Sequence, residues 1–237
     1  LILPIPLELF MLSVTEKPDI AIILINWNGW KDTIDCIHSI NRSGMLKEQH
    51  CVMIVVDNNS TDDSISHLRG LSDVQVFELQ ENSGFAAANN YGIRKGLEMG
   101  CNYFLILNND TIIPSDILTP LLNILQSTPD IGITTPKIMY FQPSNKIWYA
   151  GGKYRYPRIL GEMVGLDKED CGQYDQPKTV DFAVGCFMLI AKKVIMKVGL
   201  FDESYFFYEE DIDYSYRTVE AGFKIWYEPS LIIYHKV

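Results

Sequence analysis

Four apolar runs mark the first half of the chain: IAIILIN over 20–26, CVMIVVD over 51–57, VQVFEL over 74–79 and YFLIL over 103–107. Largely continuous rather than alternating runs predict strands buried on both faces. Helical spacing fills the gaps. WKDTIDCIHSI, 30–40, sets Trp30, Ile34, Ile37 and Ile40 on one face. FAAANNYGIRKGLEMG, 85–100, reads as a helix closed by Gly100. SDILTPLLNILQS, 115–127, has a Ser115 cap and helical spacing at Ile117, Leu121, Ile124 and Leu125. Strands separated by helices predict an α/β fold, with a mostly parallel central sheet covered on both faces.

The rhythm breaks after Pro136. Residues 140–180 are rich in Tyr, Gly, Pro, Lys and Asp and read as an irregular substrate-binding insertion over the sheet's open edge. Order returns with FAVGCFMLIA at 182–191, a short helix around 192–198, a helix from about 211 to 221, and a final strand LIIYH. This predicts one domain over 20–237, with a nucleotide half at 20–135 and a sugar or acceptor half at 136–237. Residues 1–19 form an N-terminal extension. Its stretch LILPIPLELFML carries Pro4, Pro6 and Glu8, lacks a basic flank and is too short to span a bilayer. Met11 is a candidate native start. The abrupt end at IIYHKV reads as a catalytic segment cut before a C-terminal extension.

Composition narrows the classes. A net charge of −10 and the lack of a basic stripe argue against a nucleic-acid binder. Five scattered cysteines without a CxxC pair read as reduced thiols, favouring a reducing, cytoplasmic setting.

Polar clusters end the strands, where open α/β sheets bind ligands. INWNG ends the first run, VVDNNSTDDS the second, QENSGFAAANN follows the third and LNND ends the fourth. Asp57 with Asn58, Asn59 and Ser60 suits the edge of a base or a sugar hydroxyl; taken alone, an Asx-turn before a helix capped by Thr61 or Asp62 explains it better. Asn82 and Gly84 precede a helix whose small Ala86–Ala88 turn suits either phosphate at its N-terminus or tight packing on the sheet. In FFYEEDIDYSYR, three aromatics precede Glu209, Glu210, Asp211 and Asp213. That is an acidic helix start, or a general base at the rim of an aromatic sugar platform. His235 reads by default as a core or edge histidine.

Taken in order, IILINWNGW, VVDNNSTDDS, NSGFAAANNYGI, LILNNDT, VGCFMLIAKKVIMKVGLFDESYFFYEEDIDYSYR and the closing YH resemble family 2 glycosyltransferases, especially the rhamnosyltransferase-like branch. The resemblance runs from Ile20 to His235. It implies a GT-A fold, a nucleotide-diphosphate sugar donor (dTDP or UDP), a divalent metal (Mn2+ or Mg2+) and inversion at the anomeric carbon. The donor-binding residues it implies are Asn26, Asn28, Asp57, Asn59, Asn82, Gly84, Asn89, Asn108, Asn109 and Asp110, with Asp57 on the nucleobase. Asp110 falls at the last acidic position of the DxD motif, on the metal with His235. Asp211 matches the general base, paired with Glu210. Gly185, Cys186, Phe207, Tyr208 and Asp213 fall in the sugar and acceptor pocket.

The implied reaction moves rhamnose or another hexose to a saccharide or polyprenyl-linked acceptor in cell-surface polysaccharide synthesis, in the cytoplasm or peripherally on the cytoplasmic face of the membrane. A nucleotidyltransferase and a catalytically silent nucleotide- or sugar-binding module are the alternatives. The former lacks a convincing phosphate loop in INWNGWKD. NND carries amides where many DxD motifs carry acids. The expected shell is therefore Asp110, His235 and two diphosphate oxygens, filled only with nucleotide bound. Asp211, near a helix N-terminus, is expected to keep a low pKa.

Overall fold

A computed structural model describes residues 18–47, 49–155 and 160–237. The predicted extension lies outside the described residues through Lys17, and with it the candidate start at Met11.

The four apolar runs form β1 (Ile20–Asn26), β2 (Cys51–Asp57), β3 (Val74–Glu78) and β4 (Tyr103–Asn108). They pair in parallel in the order β4-β1-β2-β3. The helices between them are α1 (Trp30–Ser43), α2 (Ser64–Leu68) and α3 (Gly84–Met99), the last closed by Gly100 as expected. α3 lies close on β1 because Gly92 and Gly96 face it: a Cβ would come within 2.5 Å of Ile23 and 2.7 Å of Ala21 respectively. Gly92 and Gly96 thus serve tight packing.

β5 (Thr111–Ile112) follows, then α4 (Leu118–Ser127). Ser115 does not cap α4. Asp116 Oδ1 accepts from the backbone N–H of Leu118 and of Thr119, each at 3.1 Å, because a carboxylate one residue nearer the helix reaches its free amides.

The second half is more regular than predicted. β6 (Ile131–Tyr140) is continuous across Pro136, so the expected boundary between the halves falls inside a strand. The expected irregular segment contains β7 (Ile147–Tyr149), β8 (Gly152–Arg155), β9 (Leu160–Met163) and β10 (Lys178–Val180). Next come β11 (Phe187–Ala191), α5 (Lys192–Val198), α6 (Glu210–Glu220) and β12 (Lys224–His235). The expected final strand is only the end of β12, whose register shifts between Glu228 and Ile232.

The full sheet is mixed but largely parallel, ordered β10-β12-β6-β11-β4-β1-β2-β3. β11 is antiparallel to β4 and β6. Its direction matters: residues 184–186 enter β11 beside the carboxyl end of β4, at the edge where the polar clusters of β1 and β2 also emerge. One hydrophobic cluster runs through both halves.

Candidate active site

The carboxyl ends of β1, β2 and β4, the approach to β11 and the start of α6 enclose a cavity of about 830 Å³. That volume suits a ligand of nucleotide-sugar size.

Asp110 and His235 meet at one wall. Residues 108–112 turn back from β4 into β5, and β5 pairs antiparallel with the end of β12, setting His235 opposite Thr111. The Lys236 N–H donates to the Asp110 carbonyl at 2.9 Å, and Lys236 Nζ reaches Asp32 and Asp35 of α1 at 2.9 and 2.8 Å. His235 Nε2 stands 3.0 Å from Asp110 Oδ1. Yet Asp110 Oδ1 is buried without a hydrogen-bond partner, as is His235 Nδ1. The Trp148 ring meets the imidazole edge-on at 4.5 Å.

Two adjacent ligands of an octahedral cation at about 2.1 Å stand about 3.0 Å apart, so this pair fits a hard divalent ion. Among the described residues no group of three or more His, Cys, Asp or Glu converges, so other ligands would come from amides, substrate or water.

Glu210 and Asp211, in the first turn of α6, also line the cavity. Tyr208 and Glu209 both have φ of 71°, a rarely populated conformation that turns the chain sharply into the helix. Asp211 Oδ2 accepts from the Gly185 N–H and Oδ1 from the Ile212 N–H, each at 2.8 Å. Its pKa is nevertheless raised, because burial outweighs those two bonds; this corrects the expectation of a low value. Glu210 is 5% exposed with Oε2 unpartnered. Burial, then the neighbouring Asp211 charge, push its pKa up to about 7.

Of the expected donor residues, Asn82, Gly84, Asn108, Asn109 and Asp110 line the cavity, and so do Gly185, Cys186, Phe207 and Tyr208, expected in the sugar and acceptor pocket. The others do not. Asn26 is fully buried beneath the floor. Asp57 is 1% exposed, with its oxygens engaged by Asn26, the Ser60 hydroxyl and the Ser60 N–H, so it organises strand ends rather than offering a free carboxylate to a base. Asn28 clips the β1 and β2 loops together, accepting from the Thr61 N–H at 2.8 Å. Asn59 is exposed outside the cavity in a left-handed conformation. Asn89 is buried in α3, donating to the Phe85 carbonyl at 3.0 Å. Asp213, expected in the acceptor pocket, pairs instead with Arg217, 2.7 Å away on the next helical turn.

The cavity adds Trp27, Asn58, Phe85, Trp148, Val184 and Phe206. Trp27 and Phe206 stood inside recognised clusters. Trp148 carried no signal, because only tertiary pairing brings β7 toward β12. Asn58 bridges the β2 end to α3, donating to Asn82 Oδ1 and accepting from the Ser83 N–H, each at 2.9 Å.

A mixed sheet with the site at its parallel carboxyl edge and a carboxylate-bearing helix facing it defines a GT-A fold. The chain belongs to glycosyl transferase family 2, whose sequence profile matches residues 21–199. It is 30% identical over 214 residues to the low-salt glycan biosynthesis hexosyltransferase Agl10 of Haloferax volcanii, covering 89% of this chain and 65% of the relative. It is 25% identical over 193 residues to the dTDP-rhamnosyl transferase RfbF of Shigella flexneri, covering 81% and 62%. The chain thus spans less than two thirds of either relative. Among solved structures, GalNAc-T7 with UDP, GalNAc and Mn2+ superposes with a TM-score of 0.74 at 17% identity, over 93% of this chain and 43% of that one. Family membership sets aside the nucleotidyltransferase reading. Among the described residues no helix is long and apolar enough to cross a membrane.

Proposed function

We propose that this chain moves a hexose, rhamnose among the candidates, from a nucleotide-diphosphate sugar to a hydroxyl of a saccharide or polyprenyl-linked acceptor, with inversion and with a divalent cation. The observation that carries this reading is the meeting in one cavity of the Asp110–His235 pair and the Glu210–Asp211 pair.

Charge supports the cation. Asp110, Glu210 and Asp211 line the cavity and, among its described lining residues, no Lys or Arg does. A diphosphate would enter a field of its own sign unless a cation came with it. Asp110 and His235 would hold that ion, Mn2+ or Mg2+. When bound, it would offset the charge that gathers on the leaving diphosphate.

The remaining chemistry falls to the chain. A carboxylate of the Glu210–Asp211 pair takes the proton of the acceptor hydroxyl as its oxygen bonds to the anomeric carbon. The bond from that carbon to the diphosphate oxygen breaks on the opposite face, and its electron pair leaves with the nucleotide. Attack opposite the leaving group inverts the centre. Phe206, Phe207 and Tyr208, all exposed at the rim, offer ring faces to the apolar face of a sugar. The naming of the Shigella relative as a dTDP-rhamnosyl transferase, and of the solved relative as a UDP complex, favour dTDP or UDP donors. The five free thiols favour a reducing setting, hence action in the cytoplasm, at the membrane surface where the acceptor is lipid-linked.

The test is a panel of dTDP-rhamnose, UDP-glucose, UDP-galactose, UDP-N-acetylglucosamine and GDP-mannose with Mn2+, read by thermal shift and donor hydrolysis. Product stereochemistry is read by NMR. Asp211→Asn is expected to abolish transfer while leaving nucleotide affinity nearly unchanged. Binding without turnover of any donor would instead define a silent nucleotide- or sugar-binding module.

A further inference from the structure

A buried chain of hydrogen bonds runs beneath the cavity floor from β2 to the turn after β4. Asn26 Nδ2 donates to Asp57 Oδ2 at 2.7 Å, Thr33 Oγ1 donates to Asn26 Oδ1 at 2.8 Å, and Asn109 Nδ2 donates to Thr33 Oγ1 at 2.8 Å. Asn26 and Thr33 are fully buried.

The direction of every bond follows from one end. The Asp57 carboxylate only accepts, so Asn26 turns its NH2 toward Asp57 and its carbonyl toward Thr33. That carbonyl only accepts, so the single Thr33 hydroxyl proton goes to it in preference to the Gly29 carbonyl, farther away at 3.1 Å. The Thr33 lone pairs are then left to accept, which draws the Asn109 NH2 inward. Gly29 leaves space for this: a Cβ there would stand 3.2 Å from Asn109 Nδ2. The Asn109 carbonyl oxygen is therefore the free end of the chain, on a residue that lines the cavity next to Asp110.

We propose that Thr33 is a positioning residue for cation capture, its hydroxyl fixing the Asn109 amide with the carbonyl oxygen outward beside Asp110. The inference rests on reading the cavity as a nucleotide–cation site. Hard cations take amide carbonyl oxygens alongside carboxylates, whereas an outward NH2 would present positive charge to the ion. One hydroxyl thus selects which end of an amide the ion meets.

Thr33→Val keeps the volume and removes both the proton and the lone pairs, leaving the Asn109 amide free to turn. UDP, dTDP and GDP are titrated calorimetrically into wild type and variants, each with Mn2+ and with EDTA. The valine variant is expected to lose about 10- to 100-fold in affinity with Mn2+ and nothing with EDTA, while Thr33→Ser matches wild type. Asn109→Ala, on the cavity wall and away from the core, is expected to show the same selective loss. Equal losses with and without Mn2+ in the valine variant mean a purely structural Thr33 and overturn the proposal. So does a serine variant as weak as valine, or an alanine variant with unchanged Mn2+-dependent affinity. Wild-type binding that Mn2+ does not strengthen overturns the cation reading itself. Wild-type protein that binds none of the three nucleotides overturns the functional reading, and this inference with it.

Discussion

The N–H of Phe85 donates to the carbonyl of Phe206 at 2.9 Å, docking the aromatic rim of the cavity onto the first turn of α3. The approach is so close that a Cβ on Gly84 would collide with the Phe206 carbonyl, and Gly84 has φ of +82°. One glycine therefore joins the small-residue helix start, read from the sequence as a phosphate or packing feature, to the aromatic segment that begins at Phe206.

Gly84→Ala is accordingly expected to destabilise the fold by roughly 1–3 kcal/mol, through both the left-handed backbone and the collision. It should also release the rim and so impair acceptor use. Urea unfolding checks the first effect, and the ratio of transfer to donor hydrolysis checks the second. An alanine variant with wild-type stability and transfer would show that the rim does not depend on this contact.

The Asp110–His235 pair yields a ligand-removal prediction. Asp110→Asn keeps the shape of the side chain but not its charge, and is expected to abolish the strengthening of nucleotide binding by Mn2+. His235→Ala should weaken that strengthening by roughly tenfold or more. EDTA should bring wild type down to the level of Asp110→Asn. Calorimetry with and without Mn2+ decides it; a Mn2+ effect that survives in Asp110→Asn removes this residue from the cation site.

The parts of the fold that the sequence announced are those whose side chains face only apolar surroundings. β1, β2 and β4 are continuous apolar runs, and Gly100 stops α3 because a left-handed residue does so readily there. Strand direction is another matter. β11 is as apolar as β4, and a strand buried on both faces reads the same whether it runs parallel or antiparallel. β12 begins as Lys-Ile-Trp-Tyr-Glu-Pro, hidden because its more exposed Lys224, Trp226 and Glu228 alternate with buried Ile225, Tyr227 and Pro229, and Pro229 sits at the register shift. Lys137, fully buried in β6, is disguised for a similar reason. Its charge is matched by Asp170, 2.8 Å away, and by Asp175, both from the segment between β9 and β10. At the site, the pattern marks polar residues at strand ends but not whether their partners are ligand or protein. Asn108, Asn109 and Asp110 reach the cavity, whereas Asp57 and Asp213 are satisfied by Asn26 and Ser60 and by Arg217 on the same helix.

Asp213 tests that distinction. Its carboxylate pairs with Arg217, which also donates to the Val198 and Leu200 carbonyls and so ties α6 to the end of α5. Both side chains are partly exposed, so Asp213→Asn is expected to cost about 0.5–1 kcal/mol. Donor and acceptor kinetics should stay near wild type. A large drop in transfer with normal stability would return Asp213 to the acceptor pocket.

Glu210 sets the pH dependence. Its folded pKa of about 7 lies above the ordinary glutamate value near 4.5, because burial and the Asp211 charge both oppose ionisation. Between those two pH values the folded state holds a proton that the unfolded chain has lost, so stability falls as pH rises through this window. Asp211, also raised, adds a loss of the same sign beginning at lower pH. Glu210→Gln removes its part of the penalty and is expected to gain on wild type by about 1–3 kcal/mol at pH 8, and little at pH 4.5. Turnover should move the other way, rising with pH until the pair can accept a proton and levelling off above about 7. Urea unfolding of both proteins at pH 4.5, 6 and 8, beside a pH–rate profile, measures the two trends. Opposite slopes of stability and rate over one pH window are the signature of a buried carboxylate whose ionised form serves the reaction. A stability difference between Glu210→Gln and wild type that stays flat across the series would mean that folding does not raise the Glu210 pKa, and the pH dependence of turnover would then be sought in Asp211.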